Sequence, residues 1–330
     1  MAGGKITQPS SSWGPMGKAR RSRLCCRMPS PAPAAPGSIA SPARERLTGL
    51  LCAVGVVLVW TGFLLASRLS ATQPFTPWDV AALRYSGAFL VGLALVAAFG
   101  WPRVPPLRVL GLMAGAAFGF PLASYAGFTF APTAHGAVFM TGLLPFVTAG
   151  LATLFLGERW DRQKVVSLAV VGIGIGLLAA DTFGSHPGAW RGDVLFLLGC
   201  CSWASFTLLI RRWRVQAVAA TTALALYPVF LYLPVWWLFL PSRLAEAPLG
   251  AVAFQMVYHG LFAVVVAGFL FTRAVNALGA ARTTTVTALT PALAALAAWP
   301  LLGEPLGWVG LLGVLLVSAG MVLGVARRPS

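Results

Sequence analysis

The chain has 330 residues, 58% of them hydrophobic and only 10% charged, with a mean hydropathy of +0.81. Soluble domains carry roughly 25% charged residues, so a water-soluble globule is excluded and the bilayer is the natural solvent. The net charge of +16 comes from 24 Lys+Arg against 8 Asp+Glu, but the bases sit in an N-terminal tail and in short gaps between apolar runs. They form no exposed basic face, which argues against nucleic acid as a partner.

Residues 1–46 are rich in Ser, Pro, Gly and Arg and lack apolar periodicity, so they read as a disordered, basic cytoplasmic tail. Met28 is an alternative start, which leaves residues 1–27 open as part of the product. Cys25 and Cys26 lie in this tail, and Cys52, Cys200 and Cys201 lie in apolar runs as small buried side chains. No His/Cys spacing resembles a zinc site, and no metal or cofactor is expected.

Beyond the tail, apolar runs predict transmembrane helices at about 47–67, 79–100, 107–129, 133–155, 164–180, 192–210, 217–239, 254–275, 280–301 and 306–326. With the N-terminus inside, the predicted inside loops hold Arg103, Arg108, Arg159, Arg162, Lys164, Arg211, Arg212, Arg214, Arg273 and Arg282. The predicted outside loops hold only Arg68, Arg191 and Arg243. This asymmetry predicts a multi-pass protein of the inner (plasma) membrane with both termini cytoplasmic.

An internal repeat is visible. With a shift of 146 residues, Leu143, Pro145, Ala149, Ala152, Leu156, Gly157, Glu158 and Gly174 match Leu289, Pro291, Ala295, Ala298, Leu302, Gly303, Glu304 and Gly320. Under a slightly different shift, Trp60-Thr61-Gly62-Phe63 matches Trp203-Ala204-Ser205-Phe206. Five helices is an odd number, so the second copy enters the membrane inverted. Inverted repeats are a signature of secondary transporters, because two such halves provide two nearly equivalent conformations, one open to each side.

These residues carry a family resemblance: Leu-Phe-Leu-Gly-Glu-Arg at 154–159, Leu-Leu-Gly-Glu-Pro at 301–305, Leu-Thr-Pro at 289–291, Gly192-Asp193, Trp203-Ala204 and Leu83-Arg84. Over roughly 47–326 the chain resembles the drug/metabolite transporter (DMT) superfamily, specifically the EamA-domain ten-helix exporters. The N-terminal tail departs from that pattern. The resemblance implies an all-α polytopic membrane protein, with one EamA repeat at 47–180 and a second at 192–326. It also implies a central cavity and export of a small metabolite such as an amino acid or amphipathic compound. Import or exchange of another metabolite, such as a nucleotide sugar, stays open, as do a membrane enzyme or a non-transporting receptor.

Several residues are candidates for function, each with a structural alternative. Pro145 and Pro291 remove a helical hydrogen bond and serve either as hinges or as packing kinks. Glu158 and Glu304 follow glycines at helix ends and serve as gate or coupling carboxylates, or as interfacial caps, the first paired with Arg159 or Arg162. Trp60 and Trp203 line a substrate cavity or pack the core. Arg84 is the one basic residue more than two residues inside a predicted span and is a gate or coupling candidate by default; snorkelling or pairing with Asp79 is the alternative. His135 and His259 are candidates for proton coupling. Among the scattered polar groups Tyr125, Thr141, Tyr227, Asn276 and Thr287, the resemblance points first to Tyr125 and Thr141, because helices 3 and 4 line the cavity in that family. Glycine ridges on helix 3 (Gly111, Gly115, Gly119), helix 5 (Gly172, Gly176) and helix 10 (Gly320, Gly324) allow close packing. Those on helices 5 and 10 could also form a homodimer face. The expected partners are a small-molecule substrate and the lipid bilayer.

Overall fold

Proline starts several of the helices, and glycine caps the ends of two, at Gly100 and Gly303. The second helix opens on a capping box: Thr76 accepts from the Asp79 backbone amide, Asp79 accepts from the Thr76 amide, and Pro77 occupies the first turn. The helix that ends at Leu302 stops on Gly303 in a left-handed conformation, φ +67°, where glycine pays no steric cost. Arg214 takes the same region at φ +51° just past the sixth helix, with the amide of Val215 donating back to Ile210.

The computed structural model describes residues 42–156, 162–183, 187–278, 283, 286–287 and 289–325. The helices, with the predicted one at 164–180 now longer at both ends, are α1 (Pro42–Ala71), α2 (Pro77–Phe99), α3 (Pro106–Phe128), α4 (Thr133–Phe155), α5 (Arg162–Phe183), α6 (Ala189–Trp213), α7 (Val218–Phe239), α8 (Leu249–Ala274), α9 (Thr290–Leu302) and α10 (Trp308–Val325). Seven are long and apolar enough to cross a membrane, and α5, α9 and α10 contribute the shorter apolar helices. They fall at the ten predicted positions, with most of residues 280–289 of the predicted ninth span lying outside the described residues. The fold is all-α and polytopic, and every described element is helical. α1 begins at Pro42, five residues before its expected start, and the added turn carries Arg44, Glu45 and Arg46. Glu45 pairs there with Arg273 at 3.6 Å. The tail residues 1–41, Glu158 and the side chains of Pro145, Arg211 and Asn276 lie outside the described residues.

The helices alternate in direction, and contacts identify both ends of the bundle. One end gathers the close of α1, α3 and α9 with the start of α4 and α6, through Arg68, Phe128, Glu304, Thr133, His135 and Asp193. The other gathers the start of α1 and α3 with the close of α6 and α8. Large apolar side chains such as Leu58, Leu107, Trp237 and Leu249 stand exposed along the helices. In lipid that exposure carries no hydrophobic penalty.

Packing crosses between the halves. α1 packs on α8 as α6 packs on α3; α1 packs on α9 as α6 packs on α4; α2 meets α7, α4 meets α9, and α5 meets α10. Exchanging each helix for the one five places on leaves this set of pairs unchanged. The closest approaches run through small residues. A Cβ on Gly174 would lie 2.7 Å from the Gly313 carbonyl oxygen, and one on Gly313 would lie 2.7 Å from that of Gly174. Ser167 on α5 also donates to the Gly320 carbonyl on α10. The seam therefore uses Gly174, Gly313 and Gly320. Gly172 and Gly176, the ridge predicted on helix 5, face open space. The α3 ridge does pack as predicted: Gly111 meets Trp213, and Gly115 and Gly119 meet Ser202 of α6.

Candidate functional site

Four helix ends meet at Glu304. Its Oε1 accepts from Arg68 Nε at 2.5 Å and its Oε2 accepts from the Thr133 amide at 2.8 Å. Thr133 begins α4, whose first amides lack intrahelical acceptors, and a carboxylate there satisfies one of them against a favourable dipole. Arg68 turns its Nη1 to the Phe128 carbonyl, at 2.6 Å, on the last turn of α3, an equally orphaned acceptor. Sequence reasoning placed Arg68 in a loop. It stands instead in the last turn of α1, partly buried against Glu304. Next to this junction, His135 Nδ1 lies 2.6 Å from Asp193 Oδ1, tying α4 to the start of α6.

A second polar cluster lies deeper, among α1, α2, α3 and α8. Arg84 is buried at 7% exposure and His259 is fully buried, so Arg84 does not snorkel. The Tyr125 hydroxyl and His259 Nδ1 are 3.1 Å apart, and the Arg84 charge lies near the same hydroxyl. Asp79 is not the partner of Arg84. Its Oδ1 accepts from Trp236 Nε1 and Ser242 Oγ, and its Oδ2 from the amides of Thr76 and Arg243. That carboxylate binds the start of α2 to the link between α7 and α8. α2 and α8 touch backbone to backbone, since a Cβ on Gly260 would lie 2.6 Å from the Ala88 nitrogen. Sequence reasoning found Arg84, Tyr125 and His259 singly but not their meeting, and it missed Gln255, fully buried one turn before His259.

The two tryptophans do not join this cluster. Trp60 stacks on Phe271 of α8 with centroids 5.7 Å apart, and Trp203 packs on Phe120 of α3 at 4.9 Å. Both fill interfaces between the halves, at equivalent positions in the helix pairing. Thr141 donates to the Ala137 carbonyl one turn back, so its hydroxyl proton is already committed. Tyr227 accepts from Trp101 Nε1 at 2.9 Å. Thr287 is buried.

The prolines stand where helices restart. α4 passes through wider, π-helical turns at Ala137–Gly142, breaks at Leu143, and resumes as α-helix at Leu144, with Pro145 in the new first turn. Leu143 has φ −79° and ψ −17°; its repeat counterpart Leu289 has φ −78° and ψ −13°, just before α9 begins with Thr290 and Pro291. A proline in a first turn removes no helical hydrogen bond, so neither interrupts the helical segment that it occupies.

Residues 190–325 match the EamA-like transporter family. Over those residues, less than half of its length, the chain is similar to that family. It is 26% identical over 276 residues to the "Uncharacterized transporter YyaM" of Bacillus subtilis (strain 168), covering 77% of this chain and 87% of that protein. It is 24% identical over 194 residues to the "Uncharacterized transporter YetK" of the same organism, covering 57% of this chain and 59% of that protein. A solved structure described only as "Crystal structure of protein" shares the fold, with a TM-score of 0.59 at 21% identity, over 84% of this chain and 96% of that one. The matched family and both relatives are described as transporters.

Proposed function

We propose that this chain is an EamA-type member of the drug/metabolite transporter superfamily, a secondary transporter of the plasma membrane that exports a small polar or amphipathic metabolite by alternating access. The observation that carries the reading is the exchange symmetry of the helix pairing. Two related halves, 47–180 and 192–326, that pack through equivalent contacts have two nearly isoenergetic arrangements, and inverted halves would open to opposite sides. The loop charges orient both termini to the cytoplasm, which makes the Glu304 junction the outer end.

In this reading the Arg68–Glu304 junction closes the outer side by holding α1, α3, α4 and α9 together. The shift that relates Trp60 to Trp203 relates Arg68 to Arg211, and the shift of the later helices relates Glu304 to Glu158. Arg211 and Glu158 are therefore the corresponding inner gate. Pro145 and Pro291 mark the bends about which each half flexes, and Asn276, Thr287, Thr141, Trp60 and Trp203 belong to the walls that move. His135 with Asp193 is the pair best placed to couple export to protons. The decisive experiment is transport of a metabolite panel in proteoliposomes, with and without a pH gradient. Saturable movement supports a transporter, and acceleration by the gradient supports proton antiport. No movement of any solute overturns the reading.

A further inference from the structure

Arg84 holds a buried charge that none of the contacts above neutralises. Among the described residues no carboxylate pairs with it, because Asp79 is committed elsewhere. Its Nη1 has no hydrogen-bond partner, and neither do His259 Nε2 nor Gln255 Oε1. All three side chains are at least nine-tenths buried. A buried ion is normally paired, and buried polar atoms are normally bonded, so an unpaired cation with orphaned buried atoms on the neighbouring helix is a site that an anion would satisfy.

We propose that Arg84, with Tyr125 and His259, binds the carboxylate of a small organic monoanion, a proposal that rests on the transport reading and specifies its substrate class. The guanidinium offers a planar fork that matches a carboxylate. The Tyr125 hydroxyl lies 3.1 Å from His259 Nδ1, which can donate to its oxygen, so the hydroxyl can turn its own proton toward the ligand. Gln255 is one turn along α8 from His259 and is anchored by its amide nitrogen to the Ala66 carbonyl at 3.2 Å. Its free oxygen suits a hydroxyl or amino group on the same molecule. Phe63 supplies the apolar wall, with its ring centroid 5.4 Å from that of His259 and 6.3 Å from that of Tyr125. One cation among neutral groups matches one negative charge, and the aromatic wall matches an apolar body.

The test uses the full-length protein in detergent, with melting followed against two acid–amide pairs: hydrocinnamate with hydrocinnamamide, and hexanoate with hexanamide. The expected result is saturable stabilisation by an acid and not by its amide, weakened about tenfold or more in Arg84→Gln, as expected for loss of a charge-assisted pair. Tyr125→Phe should weaken it less, and it serves as the test if Arg84→Gln does not fold. Amides that act as well as the acids, or acids that bind the variants as tightly as the parent, overturn the proposal. The same preparations in proteoliposomes separate the two readings. Transport of a neutral or cationic solute unchanged by Arg84→Gln overturns the anion site and leaves the transporter standing. Arg84-dependent acid binding without transport of any solute supports the site and removes the transporter.

Discussion

Glu304 shows how much one side chain can do at a helix end. It neutralises Arg68, caps α4 through the Thr133 amide and, through Arg68, reaches the last turn of α3. Charge-assisted bonds of this kind contribute about 1.5–3 kcal/mol each. Glu304→Gln should therefore lower stability by about that amount, measured by thermal unfolding in detergent. Arg68→Met alone should also destabilise, because it leaves the carboxylate partly buried without its cation. The double variant should cost less than the two singles added; strict additivity would show that the pair is not coupled. The glycine–glutamate ending was legible as a cap, and Gly303 confirms it. The identity of the partner was not legible, because Arg68 lies 236 residues away.

At the scale of elements, the membrane helices depart from regular α-geometry at related places. α3 and α8, equivalent in the repeat, both carry π-helical turns, at Met113–Gly119 and Tyr258–Val266. Such turns widen the helix and free backbone groups. The Leu143 and Leu289 breaks are the same backbone event in the two halves. Pro145→Ala and Pro291→Ala restore a donor and relax the fixed φ, so they should leave the fold intact while slowing transport, measured as proteoliposome flux alongside melting temperature. Unchanged flux in both would exclude a hinge role. The α5–α10 seam gives a paired prediction. Gly174→Leu drives a side chain into the Gly313 backbone and should cost about 1–3 kcal/mol or more. Gly172→Leu points to open space and should fall within about 0.5 kcal/mol of the parent. Equal effects in a thermal unfolding assay would contradict the packing described here.

For the whole molecule, what matters is that the strongest packing runs between halves. α1 needs α8, α6 needs α3, and α5 needs α10, so neither half buries its own contact faces. Expressed separately, residues 1–187 and 188–330 should each be degraded or protease-sensitive, and co-expression should restore a resistant complex. A protease-resistant second half alone would show that its fold does not depend on the first.

The sequence by itself determined the all-helical, multi-pass character of the chain and its family resemblance. The bilayer makes these local properties: each span must satisfy its own backbone and present apolar side chains, which hydropathy and loop charge report directly. Only the tertiary structure decided which groups meet. Asp79, one turn from Arg84 in sequence, is taken by the α7–α8 link, and Arg84 gathers Tyr125 and His259 from other helices. Gly174, not Gly172 or Gly176, makes the α5–α10 seam. A helix that is apolar all round carries no pattern to tell the lipid face from the packed face, so shape and long-range polar pairing make that choice.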